Sequence, residues 1–212
     1  MEKGFTIIEI IISIFILSTA VVAIFAAFSV MAILTSDSSD QVTATYLAQE
    51  GIEIVRNIRD NNWIKMDLNG CVAGDNSCGY NWNDGLDNCR EPGGCKADYT
   101  TGTNISGAFS MTPWAHSSSD YLCLDTQAGG FYYQASSCPS LKTKFKRKIT
   151  ITKIEDVDGK QDHIMKVIAQ VSWDKKANIL FSDGFQADDC QPGKNCVEIE
   201  TTLYNWYNYI NQ

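Results

Sequence analysis

Proline is scarce here: the 212-residue chain has four, and none precedes Pro92. No charged residue stands between Ile10 and Ser36, and no cysteine precedes Cys71. Each absence excludes something. Without proline or a glycine cluster, nothing forces a break in a helix running through the first sixty or so residues. Without charge, a stretch that long cannot be an exposed face of an ordinary soluble domain. With only His116 and His163, zinc-knuckle and histidine-base chemistry has few ligands to draw on. Phosphate-binding glycine loops, H-E-x-x-H and G-x-S-x-G are all missing. Ser172-Trp173-Asp174-Lys175 fits S-x-x-K, but at a strand end, where that nucleophile motif needs a helix start, so it reads as a chance match. No catalytic residue and no cofactor is expected, and an enzyme is not the reading.

What is present begins at Phe5. Residues Phe5 to Leu34 form one apolar run interrupted by a single carboxylate, Glu9, and preceded by the stub Met1-Glu2-Lys3-Gly4. A secretory signal has a basic n-region and an apolar stretch of only about 7–15 residues, and this run is far longer. A plain signal anchor accounts for the run but not for Gly4 or Glu9. An ionised group near the centre of a membrane segment costs roughly 2.5–3.5 kcal/mol, less near its end, and it asks for a partner. After Asp37 and Asp40 the pattern turns amphipathic: Leu47, Gly51, Ile54, Val55 and Ile58 fall on one helical face. Glu53 and Arg56, then Arg56 and Asp60, are spaced as helical charge pairs. One helix from about Phe5 to about Asn62 would measure roughly 85–90 Å, more than a small domain can cover.

The string KGFTIIEI, with Gly4, Phe5 and Glu9, resembles the leader of the type IV pilin and type II secretion pseudopilin family, and Tyr46 to Trp63 resembles the second half of the helix in its minor members. The resemblance implies that a membrane prepilin peptidase cuts between Gly4 and Phe5 and methylates the new amino group of Phe5. It implies that Glu9 lies near the Phe5 amino group of a neighbouring subunit in a filament. The partners it implies are other pilin or pseudopilin subunits, an inner-membrane assembly platform, and the lipid bilayer before assembly. Ser18 and Ala26 stand about where many major pilins carry helix-breaking glycine and proline, which favours a minor pilin or pseudopilin.

The remaining chain is the size of one head domain. Of the formal charge of −8, only Glu2, Lys3 and Glu9 fall within the first 34 residues. A pI near 4.7 argues against a general nucleic-acid binder. Lys3 before the run and Asp37 and Asp40 after it favour an expected topology with the N-terminus in the cytoplasm and the head outside. The expected organisation is a leader (1–4), a membrane and filament-core helix (5–36), its amphipathic half (37–63), a Cys-rich loop insert (64–130) and the antiparallel sheet of the head (131–212).

All eight cysteines, Cys71, Cys78, Cys89, Cys95, Cys123, Cys138, Cys190 and Cys196, lie beyond the apolar run. The even count and the placement point to disulfides, with zinc as the rival. Spacing does not fix the connectivity. Neighbouring pairs, Cys71–Cys78, Cys89–Cys95, Cys123–Cys138 and Cys190–Cys196, would each close a short loop. Residues 68–130 have loop composition, with a short helix expected near Ser117 to Leu122.

Residues 130–135, 143–154, 164–173 and 196–206 alternate as strands, and Asn178 to Phe181 offers an edge strand. The fold class is α+β and pilin-like: a long N-terminal helix packed on a four- to five-stranded antiparallel sheet. Asp158-Gly159 signals a hairpin; Asp156, Asp158 and Asp162 around it are a weak calcium candidate lacking the full loop pattern. Lys142, Lys144, Lys146 and Lys148 line one strand face with Arg147 opposite. The plain reading is a solvated face; the sharper one binds DNA or an acidic neighbouring subunit. Two function classes follow. One is a structural subunit of a type IV pilus or type II secretion-like filament. The other is a membrane-anchored adhesin or DNA-uptake tip that uses the helix as a mount.

Overall fold

The computed structural model describes residues 4, 6–71, 79–86, 89–90, 93–98, 111–113, 121–126, 129–134, 138, 141–154, 164–173, 190 and 195–205. A helix, α1, spans Ile7–Leu68. The strands are β1 (Cys95–Lys96), β2 (Thr112–Pro113), β3 (Tyr121–Asp125), β4 (Phe131–Gln134), β5 (Leu141–Ile154), β6 (Ile164–Trp173) and β7 (Cys196–Tyr204). The chain divides into two units, Met1–Val42 and Thr43–Gln212.

In the first unit every residue from Ile7 to Ser36 is exposed. The hydroxyls of Ser13, Ser18, Thr19, Ser29, Thr35 and Ser38 donate to carbonyls three or four residues back, at 2.7–3.0 Å. A helix that satisfies its own hydroxyls in this way presents lipid with no unpaired donor among them. The helix is long and apolar enough to cross a membrane, which fits single-pass anchoring.

In the second unit α1 packs on an antiparallel sheet, giving the α+β, pilin-like architecture. The buried stripe runs Ala44, Leu47, Ala48, Gly51, Ile52, Ile54, Val55, Ile58, Asn62, Trp63 and Met66. Trp63 and Met66 carry the helix to Leu68, past the expected end near Asn62. Gly51 lies close against the sheet: a Cβ there would meet Arg147 Cδ at 3.1 Å and Ile149 Cδ1 at 3.3 Å. Glycine mid-helix costs about 0.8–1.0 kcal/mol relative to alanine, and here it lets the helix settle onto the sheet.

Among the described residues the sheet has seven strands, two more than the upper expectation. Strand β5 is its spine. One edge pairs with β6 from Phe145↔Trp173 to Ile154↔Ile164, and β6 pairs with β7. The other edge is shared between β3 at residues 141–146 and β1 at Ile149. Short strands β4 and β2 extend these two branches. The segment expected as a loop insert therefore supplies β1, β2 and β3. Tyr121 and Leu122 are strand, not helix: Tyr121 sits opposite Lys146, and Leu122 is buried in the core. The expected edge strand at Asn178 to Phe181 lies outside the described residues.

Candidate functional site

The first candidate lies at the start of α1. The amides of Glu9 and Ile10 donate to the Thr6 carbonyl at 3.1 and 3.3 Å, so Glu9 occupies the first turn. Free backbone amides and the helix dipole favour a negative charge there. Gly4 is exposed, and a Cβ built on it meets nothing within 4 Å. Phe5 lies outside the described residues. Eighteen large apolar side chains between Ile7 and Leu34 are exposed, among them Ile7, Phe25 and Ile33. Burying one such side chain is worth about 1.5–3 kcal/mol, so together they outweigh the ~5–15 kcal/mol net stability of a typical domain. A surface of that kind is covered in use, by lipid or by protein.

The second feature is a clasp inside the head. Arg147 is the largest fully buried side chain. Its Nη1 donates to Leu47 O at 2.9 Å and pairs with Glu50 Oε2 at 3.0 Å; its Nη2 donates to Ala97 O at 2.6 Å. Gln134 closes the circuit. Its side-chain oxygen accepts from Ala97 N, its backbone N donates to Asp98 Oδ2, and its amide nitrogen donates to Arg147 O, each at 3.0 Å. One guanidinium thus ties helix, insert and sheet together. Burial pushes its pKa below the ordinary arginine value, while Glu50 and Asp98 oppose that shift. Arginine stays charged in proteins at any working pH, so the guanidinium itself contributes no pH step.

The disulfides hold the insert and the sheet ends. Cys89 bonds Cys95, Cys123 bonds Cys138, and Cys190 bonds Cys196. Cys71 is also disulfide-bonded, and Cys78 lies outside the described residues. Cys89 and Cys95 are fully buried against Met111, whose Sδ lies 3.3 and 3.8 Å from their sulfurs. No cluster of three or more metal-ligating side chains occurs among the described residues. The calcium candidates Asp156, Asp158 and Asp162 lie outside them.

The lysine row is not one solvated face. Lys142 is exposed, Lys144 and Lys146 are half-buried, and Lys148 is buried. Gly94, at φ +70°, lies against the Lys148 stem, where a Cβ would stand 2.7 Å from Lys148 Cε. Only glycine combines that backbone with that clearance. The ammonium groups of Lys142 and Lys146 lie 4.0 and 4.5 Å from the centroid of the Tyr121 ring. Such contacts contribute roughly 0.5–1 kcal/mol each at exposed sites and hold the charges in place.

Sequence reasoning set Arg147 opposite the lysines but did not draw its role. The signal was its odd position between Phe145 and Ile149 on a strand whose odd positions face the helix. No protein-family model matches this chain, and no curated protein or solved structure shows significant similarity to it.

Proposed function

We propose that this protein is a subunit of a type IV pilus or type II secretion-like filament, a minor pilin or pseudopilin. The observation that carries the reading is a helix whose first half is apolar and exposed, with its one carboxylate in the first turn, and whose second half anchors a disulfide-pinned sheet. In this reading the chain enters the membrane through α1, with its N-terminus cytoplasmic and its head outside. A prepilin peptidase removes residues 1–4 and methylates Phe5. An assembly platform then draws the helix from lipid into a bundle of neighbouring subunits, so that protein replaces lipid around it. Glu9 becomes tolerable in that bundle by pairing with the Phe5 ammonium of a neighbour.

Gly4 is exposed and a Cβ on it would meet nothing within 4 Å, so a larger residue there can be tried without a steric clash among the described residues. Mass spectrometry of the mature protein tests the cleavage. The expected N-terminus is N-methylated Phe5, with Gly4→Val left uncleaved in the membrane. A mature chain starting at Met1, or beyond residue 20, would overturn the reading.

A further inference from the structure

Helix α1 and strand β5 run in the same direction through the head. Arg147 meets Leu47 and Glu50, a Cβ on Gly51 would meet Ile149, and Ile58 shares a core cluster with Ile151. Phe145 shares its cluster with Ala44 and Leu47. The residues of β5 before Phe145 therefore lead toward the end of the head at which α1 enters, at Thr43. Strands advance about 3.3 Å per residue, so Leu141 stands roughly 13 Å beyond Phe145. The hairpin of β3 and β4 reaches the same end, because Leu124 is opposite Leu141 and Asp125 is opposite Phe131. Leu141 and Phe131 are each about half exposed. Lys142 is exposed beside them, and so is Tyr46 in the first turn of α1 within the head.

We propose that this end of the head docks on the phospholipid interface, with Leu141 and Phe131 entering between headgroups and Lys142 reaching lipid phosphate. Large apolar side chains beside a lysine suit that boundary, since the lysine stem can lie along apolar surface while its ammonium stays among the headgroups. Tyr46 is of the amphipathic aromatic kind enriched at membrane interfaces. The chain itself argues for lipid as the occupant. Helix α1 is long and apolar enough to cross a membrane, and Leu34, the end of its apolar run, precedes Thr43 by nine positions. Nine helical residues span roughly 13–14 Å, and the headgroup layer on each side of the hydrocarbon is about 5–7 Å deep. A tether that short keeps this end of the head beside the headgroups while α1 spans the bilayer.

Charge alone does not drive this docking. Asp37 and Asp40 on the tether, and Asp125 opposite Phe131, carry the same sign as an anionic lipid surface. Apolar contact by Leu141 and Phe131 therefore leads, and Lys142 adds to it. The far end of β5 supplies an internal contrast. Ile154 is also exposed, but it lies thirteen positions along the strand from Leu141, roughly 40 Å away and outside the reach of the interface. The proposal rests on α1 spanning a bilayer and not on assembly into a filament.

The test places the full chain, one copy per disc, in nanodiscs of phosphatidylglycerol and phosphatidylcholine. The photo-crosslinking residue benzoylphenylalanine is introduced singly at positions 25, 131, 141 and 154, and mass spectrometry identifies each adduct. Position 25, in the exposed apolar half of α1, reports whether the helix is in lipid at all. Phospholipid adducts are expected at 25, 131 and 141, and not at 154. A lysine near an anionic membrane surface changes partitioning about fivefold, and removing Leu141 adds to that. Leu141→Ser/Lys142→Gln should therefore lower the adduct at 131 at least fivefold and leave the adduct at 25 unchanged. Circular dichroism and disulfide mapping of each variant confirm that the head is folded. An adduct at 25 with none at 131 and 141, equal yields at 131 and 154, crosslinks at 131 to a second copy of the chain in place of lipid, or a yield at 131 unmoved by the double substitution would each overturn the proposal. Those outcomes leave the membrane-spanning helix and the filament reading standing; absence of the adduct at 25 would remove all three.

Discussion

Replacing Arg147 by methionine removes the clasp while keeping much of the side-chain volume. Three contacts disappear: to Leu47 O, to Ala97 O and to Glu50 Oε2. Hydrogen bonds to charged groups contribute about 1.5–3 kcal/mol each, and the buried Ala97 carbonyl loses a donor. Two effects offset part of this. The buried guanidinium no longer has to be desolvated, and its Nε, which has no hydrogen-bond partner, is gone. Glu50 is about one-third exposed, so water can take up its charge. The full ~3–5 kcal/mol for breaking a wholly buried pair is therefore too high, and a net loss of ~2–4 kcal/mol is expected. With a urea dependence of about 2 kcal/mol/M, the middle of the usual range, the midpoint should fall by about 1–2 M. Trp63, Trp82 and Trp173 are all buried, so tryptophan fluorescence of the full chain in non-ionic detergent reports the transition. Glu50→Gln keeps an accepting oxygen and should cost less. The double variant should be no less stable than Arg147→Met alone, because the two residues act through one contact. An Arg147→Met protein as stable as the parent, or more so, would refute the reasoning and make the buried ion pair a burden.

Two further perturbations probe the same head. Gly51→Leu should destabilise by about 1–3 kcal/mol or more, since the added atoms must displace Arg147 and Ile149 where the helix meets the sheet; thermal unfolding against the parent checks it. Opening the Cys123–Cys138 bridge by double serine substitution should cost up to ~3 kcal/mol, and opening Cys190–Cys196, which closes a shorter loop, should cost less. Denaturant midpoints of the two variants test that order.

Much of the fold was legible because its signals are periodic. The apolar run, the helical stripe from Leu47 to Ile58, and the alternation in β5, β6 and β7 each repeat often enough to be read without tertiary information. What escaped was set by contacts distant in sequence. Strands β1 and β2 are two residues each and exist by pairing with one another and with the long β5, so their own residues carry no alternation. Tyr121 and Leu122 stand among loop-forming residues, yet β5 on one side and β4 on the other draw them into the sheet. Lys148 follows the lysine pattern but is buried, because Gly94 of the insert lies over its stem. Gly51 fitted the helical stripe, but its reason appears only when Arg147 and Ile149 stand beside it. Of the candidate site, Gly4 and Glu9 were singled out by the resemblance of KGFTIIEI to the pilin leader, whereas the Arg147 clasp joins residues up to a hundred positions apart and carries no local signal of its partners.

The most direct test of the filament reading is the incorporation of Glu9→Ala protein into sheared surface filaments, measured alongside its level in the membrane. Removing the carboxylate makes the apolar segment more compatible with lipid, so membrane accumulation should match or exceed the parent. The head, whose buried stripe begins at Ala44, should keep its fold and its disulfides. Filament incorporation should drop severely, because the Phe5 ammonium of the neighbouring subunit loses the anion that makes its burial tolerable. Glu9→Ala protein entering filaments at the parental level would contradict the account.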